Sequence, residues 1–263
     1  MTATPTTRPQ GTAQQGLGAT SRRDAWWLVP GVIAAGFGSF IAYSLFSALL
    51  WEPLFHVPYE VDGYLSPFFS PLIFKGALPA WFSPAILILW IPLGFRTTCY
   101  YYRKAYYRSY FADPPACAVG EPTIHRRYAM ERAFPFILQN VHRYFLYLAF
   151  VPLFFLWVDA LASFVNTGQV RIGLGGVLLL VNAALLSGYS LSCHSLRHLA
   201  GGKLDCFSCS AAARTRYRIW QRLTGLNASH MQWAWVSLVS VALADLFVRL
   251  LAAGVIVDPA LRL

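Results

Sequence analysis

Charge is what this chain has least of. Only 12% of its 263 residues are charged, against about a quarter in soluble domains. So few charges cannot clothe a soluble core, and 57% of the residues are hydrophobic, with a mean hydropathy of +0.48. The chain is therefore expected to be an integral membrane protein. No secretory leader pattern opens it. Met1 to Thr20 is polar, rich in Thr, Gln, Ala and Gly, and lacks an apolar core before a cleavage site, which reads as a disordered tail. No internal repeat stands out. The cysteines number five, an odd count, and three of them crowd a loop that should face the reducing cytoplasm, so a disulfide framework is not expected.

Apolar runs and aromatics are what is present. Five runs predict an all-α integral membrane protein, a five-transmembrane-helix bundle over residues 25–252. A disordered cytoplasmic tail, 1–24, precedes it and a short outer tail, 253–263, follows. Arg22 and Arg23 before Trp26 and Trp27 mark an inner membrane edge for helix one, which runs to Leu50. Trp51 to Lys75 reads as an outer connection. Helix two should cover about Leu78 to Tyr101, or reach Tyr110, kinked by Pro84 and Pro92. Helix three should run from near Phe134 to Phe164, helix four from Ile172 to Leu196 and helix five from Ser229 to Leu251. Between the last two, Ala200 to Asn227 reads as a basic loop.

The net charge of +10 could suggest nucleic acid, but its distribution argues for a membrane. This topology puts seventeen basic and five acidic residues inside, and four basic and six acidic residues outside. That asymmetry is the positive-inside pattern of a multi-pass protein of the cell's inner (plasma) membrane, N-terminus cytoplasmic and C-terminus outside. Asp245 and Arg249, four apart on helix five, read as an intrahelical pair near the outer surface.

The same topology lays Cys99, His142, Cys193, His194, His198 and His230 near the inner edge, with Cys117, His125, Cys206 and Cys209 in adjoining loops and His56 on the other side. A single intramembrane His often only bonds a neighbouring helix, and a single buried Cys is usually a small hydrophobe. A whole layer of them suggests a metal centre. Three chemistries compete for it. A Rieske-type [2Fe–2S] cluster needs two Cys and two His. A b-type haem needs two axial His from different helices, such as His142 with His194, His198 or His230. A structural zinc could use His194, His198, Cys206 and Cys209, a local four-ligand set.

Five segments in order carry a resemblance: TCYYYRKAYYR (Thr98 to Arg108), PPACAVGEP (Pro114 to Pro122), LQNVHRYFLY (Leu138 to Tyr147), CHSLRHLAGG (Cys193 to Gly202) and HMQWAW (His230 to Trp235). Together the chain from about Trp26 to Arg249 resembles the single-chain, five-helix membrane anchors (cytochrome b-like subunits) of respiratory complex II, the type F succinate dehydrogenases and fumarate reductases. The resemblance implies a chain that docks flavoprotein and iron–sulfur subunits on its cytoplasmic face and passes electrons to a quinone, menaquinone or ubiquinone. It also implies a membrane-embedded Rieske-type cluster rather than haem b. Cys193 and His194 are adjacent and point about 100° apart on a helix, so the ligands should come from several helices. The preferred set is Cys99, His142, Cys193 and His230, with Cys117, His194 and His198 as substitutes. By depth alone, Arg96, Tyr100, Arg197 and Trp233 are the expected quinone contacts.

Overall fold

Four helices among the described residues are long and apolar enough to cross a membrane. The protein's structure is a computed structural model that describes residues 16–73, 76, 78–79, 81–121, 132, 136–166 and 169–262. His125, Lys75 and residues 1–15 lie outside it, as does the expected start of helix three at Phe134. The first apolar helix, α1 (Leu28–Leu45), continues through a π-helical turn at Phe46–Leu50 into α2 (Trp51–Phe55). The second candidate span is α5 (His142–Ala162), entered through a 3-10 turn at Phe136–Val141. The others are α6 (Leu174–Leu191) and α9 (His230–Ala252). These sequences form helices because an apolar run without water must bond its own backbone internally.

The second apolar segment departs from expectation. It is not helical from Leu78. It forms α3 (Ile86–Thr97), breaks at Thr98–Cys99 and resumes as α4 (Tyr100–Tyr110). Pro79 and Pro84 lack an N–H and turn the residues before them away from helical backbone, which delays the start. Helix four also stops early, at Leu191. After Ser192 and Cys193 the chain re-enters a helix as α7 (His194–Gly201). The stretch read as a basic loop contains α8 (Ala211–Ala228), N-capped by the Ser210 hydroxyl accepting from the Ala213 N–H at 3.1 Å. Its Ala, Arg, Leu and Gln are strong helix formers, and basic composition masked that propensity.

Packing runs in a chain: α9 lies on α6, α6 on α5, α5 on α3, and α1 on both α4 and α9, while α7 lies on α8. Two glycines permit close approach. A Cβ at Gly94 would meet the Phe145 ring at 2.1 Å, and one at Gly188 would meet the Trp233 indole at 2.4 Å. Small residues at such crossings are how membrane helices come together without a hydrophobic drive.

One end of the bundle carries two small sheets. β1 (Glu60–Val61) and β2 (Tyr64–Leu65) form a hairpin around Asp62 and Gly63, which take φ of 51° and 81°. β3 (Val165–Asn166) and β5 (Ala260–Arg262) flank β4 (Gln169–Gly173). Asp258 accepts hydrogen bonds from Tyr64 Oη at 2.6 Å, Arg171 Nη2 at 2.8 Å and the Gly175 N–H at 3.2 Å. Burial alone would raise the Asp258 pKa, but these three bonds and the Arg171 charge together hold it below its ordinary 3.8. Burial, with Asp258 as its partner, pushes Tyr64 up to about 12.

Asp245 and Arg249 pair along their helix as expected, at 3.9 Å, and both side chains are fully buried within the bundle. Asp245 accepts from Tyr43 and Ser47, each at 2.6 Å, and from Ser66. Arg249 donates to the carbonyls of Val57 and Ser47 at 2.9 and 2.7 Å. A buried pair persists only when such bonds satisfy it. The stretch 16–24 of the tail expected to be disordered is tied down. Gly18 N donates to Gly120 O at 2.9 Å, Gly120 N to Ala19 O at 2.8 Å, and Arg22 Nη1 to Cys117 O at 2.9 Å.

Candidate metal centre

Four helix starts meet at the other end of the bundle. Cys99 is the N-cap of α4 and Cys193 the N-cap of α7, both in extended backbone, with φ and ψ of −65° and 130° and of −61° and 135°. His142 is the first residue of α5 and His230 the first of α9. The early stops of α3 and α6 thus serve the site. An uninterrupted helix would carry Cys99 or Cys193 round its own axis; the break turns each out into the junction. Both thiols are buried, at 3% and 1% exposure.

The four side chains form two contacts. Cys99 Sγ lies 3.4 Å from His230 Nε2, and Cys193 Sγ lies 3.2 Å from His142 Nε2. On its other nitrogen each imidazole meets a hydroxyl: His142 Nδ1 is 2.9 Å from Thr98 Oγ1, and His230 Nδ1 is 2.7 Å from Ser192 Oγ. Those hydroxyls have already placed their single protons. Thr98 donates to Gly94 O at 2.6 Å and Ser192 to Tyr189 O at 3.0 Å. With the hydroxyl protons so placed, each imidazole donates to its hydroxyl as the Nδ1–H tautomer, with the Nε2 lone pair facing a thiol. A ligating histidine needs this arrangement, a free lone pair on one nitrogen and an oriented N–H on the other. Aromatic rings hold both imidazoles flat. Phe95 stacks on His142 at 4.9 Å and 4°, and Tyr189 on His230 at 5.1 Å and 17°.

The two halves match residue for residue. Phe95, Thr98, Cys99 and Arg103 stand in the same spacing as Tyr189, Ser192, Cys193 and Arg197. In each half the aromatic stacks on an imidazole, the hydroxyl binds that same imidazole, and the thiol reaches across to the other one. This aromatic-x2-Ser/Thr-Cys-x3-Arg spacing is a short internal repeat. The motif is too short for composition to reveal.

Of the residues named as substitutes, none joins the quartet. Cys117 is an exposed free thiol on the loop that holds residues 16–22. His194 is exposed, and exposed His198 accepts from Arg143 Nη2 through Nδ1 at 2.9 Å. Cys206 and Cys209 are joined in a disulfide. That corrects the expectation that no disulfide forms and removes the zinc site built on the pair, because a disulfide sulfur is no thiolate ligand. The two cysteines are three positions apart in the segment leading into α8, close enough to bridge whatever the wider loop does. Among the described residues no three His, Cys, Asp or Glu side chains converge as they would around one ion. The site is two pairs.

The residues expected to contact quinone are dispersed. Arg96 lies at the site: its Nη2 donates to Ser237 Oγ at 3.0 Å and its Nη1 to Ala234 O at 3.2 Å and to the Tyr102 hydroxyl. Trp233 packs on Gly188, and its indole N–H is buried with no hydrogen-bond partner among the described residues. Arg197 turns to α8, donating to Thr224 Oγ1 at 2.9 Å and covering the Trp220 ring. Tyr100 is 68% exposed.

Comparison with known proteins gives two matches. The family model of the actinobacterial succinate dehydrogenase subunit SdhC matches residues 28–254. A chain of the Mycobacterium smegmatis Sdh1 complex in the apo form is 40% identical, with a TM-score of 0.79, over 91% of this chain and 92% of that one. No curated protein matches.

Proposed function

Because the chain belongs to the family of actinobacterial succinate dehydrogenase SdhC subunits, the membrane anchors of complex II, we propose that it carries electrons from the complex's iron–sulfur subunit to a quinone through a Rieske-type [2Fe–2S] centre held by Cys99, His142, Cys193 and His230. The flavoprotein and iron–sulfur subunits dock on its basic face. In this reading α3 with α4 is the fifth crossing. By itself α3, twelve residues long, extends about 18 Å, short of a hydrocarbon core of about 30 Å, so the crossing needs α4 as well. The N-terminus is cytoplasmic and the C-terminus outside, as the basic residues require.

The observation that carries the reading is the two Cys–His contacts, each imidazole bonded to a hydroxyl at Nδ1 and set with Nε2 against a thiol. Two cysteines and two histidines are the donor set of this class, the thiols on one iron and the imidazoles on the other. When bound, such a cluster accepts and passes one electron at a potential raised by its histidines. The chain's own part is to hold four ligands from four helix starts, orient both rings through Thr98 and Ser192, and keep water out with Phe95 and Tyr189. Both Nε2 atoms face sulfur rather than each other across a porphyrin, which supports the cluster over haem b. Trp233, with its unsatisfied indole N–H beside the site, is the best placed of the expected quinone contacts.

The test is made on the purified complex. Iron and acid-labile sulfide should exceed the content of the soluble subunits by one two-iron cluster, with a matching EPR signal. Changing His142→Ala and His230→Ala together should abolish quinone reduction while succinate oxidation with an artificial acceptor survives. A haem b optical band without that EPR signal, or unchanged quinone reduction in the double variant, would overturn the assignment.

A further inference from the structure

Arg96 breaks the match between the two halves of the site. The residue in its place beside Cys193 is Ser190. Arg96 lies over the Tyr189 ring at 4.7 Å and the Tyr102 ring at 5.4 Å, and the opposite relation of Tyr189, stacked on His230, puts the cation one ring away from a candidate ligand. Its guanidinium is fixed to α9 through Ala234 O and Ser237 Oγ, and to Tyr102, which itself donates to Ala234 O at 2.6 Å. All of these partners are neutral. Among the described residues no carboxylate forms a salt bridge with Arg96. An arginine cannot shed its proton in a protein, and a charge at membrane depth is expensive unless something balances it.

We propose that Arg96 is the counter-charge of the reduced centre, a positioning residue that sets the centre's reduction potential. This rests on the cluster reading above. Two ferric ions, two sulfides, two thiolates and two neutral imidazoles sum to no net charge, and one electron from the iron–sulfur subunit leaves a single negative charge. In a low-dielectric site that charge is destabilised unless a cation stands near it. Arg96 is that cation. It favours the reduced form and makes the centre a better acceptor from the iron–sulfur subunit. Because the guanidinium is held before the electron arrives, its position needs no rearrangement on reduction.

The experiment compares whole complexes carrying Arg96→Gln and Arg96→Lys with wild type, by EPR-monitored redox titration and iron content. The midpoint potential of the two-histidine cluster should move to more negative values in R96Q with iron retained, and return toward wild type in R96K. A midpoint in R96Q equal to wild type overturns the counter-charge while leaving the centre in place. A wild-type complex without the cluster signal overturns the centre itself. Should R96Q hold no iron, R96K decides: retained iron with a midpoint near wild type supports the counter-charge, and loss of iron there too shows that the arginine's packing, not its charge, is what matters.

Discussion

Thr98 and Ser192 show how much a single hydroxyl can determine. Each passes its proton back to a carbonyl of its own helix and so obliges an imidazole to donate to it. The tautomer of His142 and of His230 is set by a residue next to a cysteine of the same site. Replacing Ser192 by Ala, or Thr98 by Val, removes the acceptor and frees the ring to rotate or change tautomer. Loss of an outer-shell partner of this kind costs about 10–100-fold in metal affinity. Iron retained by the complex under a chelator titration should fall accordingly, and Thr98→Ser should restore it. Full iron retention in both Ser192→Ala and Thr98→Val would refute the orienting role. The candidate ligands were legible in the sequence because Cys and His are rare in an apolar chain. Thr98 and Ser192 were not, because hydroxyls are common in membrane helices and nothing in their identity says which way the proton goes.

At the scale of elements, the breaks matter more than the helices. α3 and α6 each end two residues before a cysteine, and the residue counts of the apolar runs concealed both stops. Hydropathy averages over about nineteen residues, so it cannot register a single residue of extended backbone, Cys99 or Cys193, inside an otherwise apolar run. At the opposite end, the β4–β5 pairing brings Asp258 onto Arg171 with side-chain exposures of 2% and 6%. Its pKa is lower folded than unfolded, so its contribution is full at neutral pH and vanishes as the pH falls below 3.8 through the folded value. Asp258→Asn leaves Arg171 buried without a charge partner and should cost about 3–5 kcal/mol at neutral pH. Thermal unfolding of the wild-type and D258N complexes across a pH series should show a gap that closes on acidification. A gap independent of pH would mean that the carboxylate's charge is not what stabilises the contact.

At the scale of the molecule, topology follows from whether α3 completes a crossing. Five crossings put the termini on opposite sides of the membrane; four would put them together. A reporter fused ahead of Met1 should be active only in the cytoplasm, and one fused after Leu263 only outside. Both on one side would remove α3 from the count and place the short helix as a re-entrant segment. The whole molecule also separates two polar groups by the length of the bundle. The Cys/His quartet lies at the starts of α4, α5, α7 and α9, while the Asp245–Arg249 pair lies toward the far end of α9, bonded to α1, the π turn and the loop after β2. α9 is common to both, so it joins the redox end to the sheet-bearing end.

Composition and the spacing of apolar runs were enough to determine a membrane bundle and its helical class, because burial in lipid acts on every residue independently of its neighbours in space. They also brought Cys99, His142, Cys193, His194, His198 and His230 to one depth, and the family resemblance narrowed that layer to a preferred four, Cys99, His142, Cys193 and His230. Only the tertiary structure decided that these four meet, that Cys117, His194 and His198 stay apart, and that Cys206 and Cys209 bond each other. The first two outcomes depend on where two helices break and how α5 and α9 cross the others, and a contact between residues more than a hundred positions apart, as between Cys99 and His230, leaves no trace in local sequence.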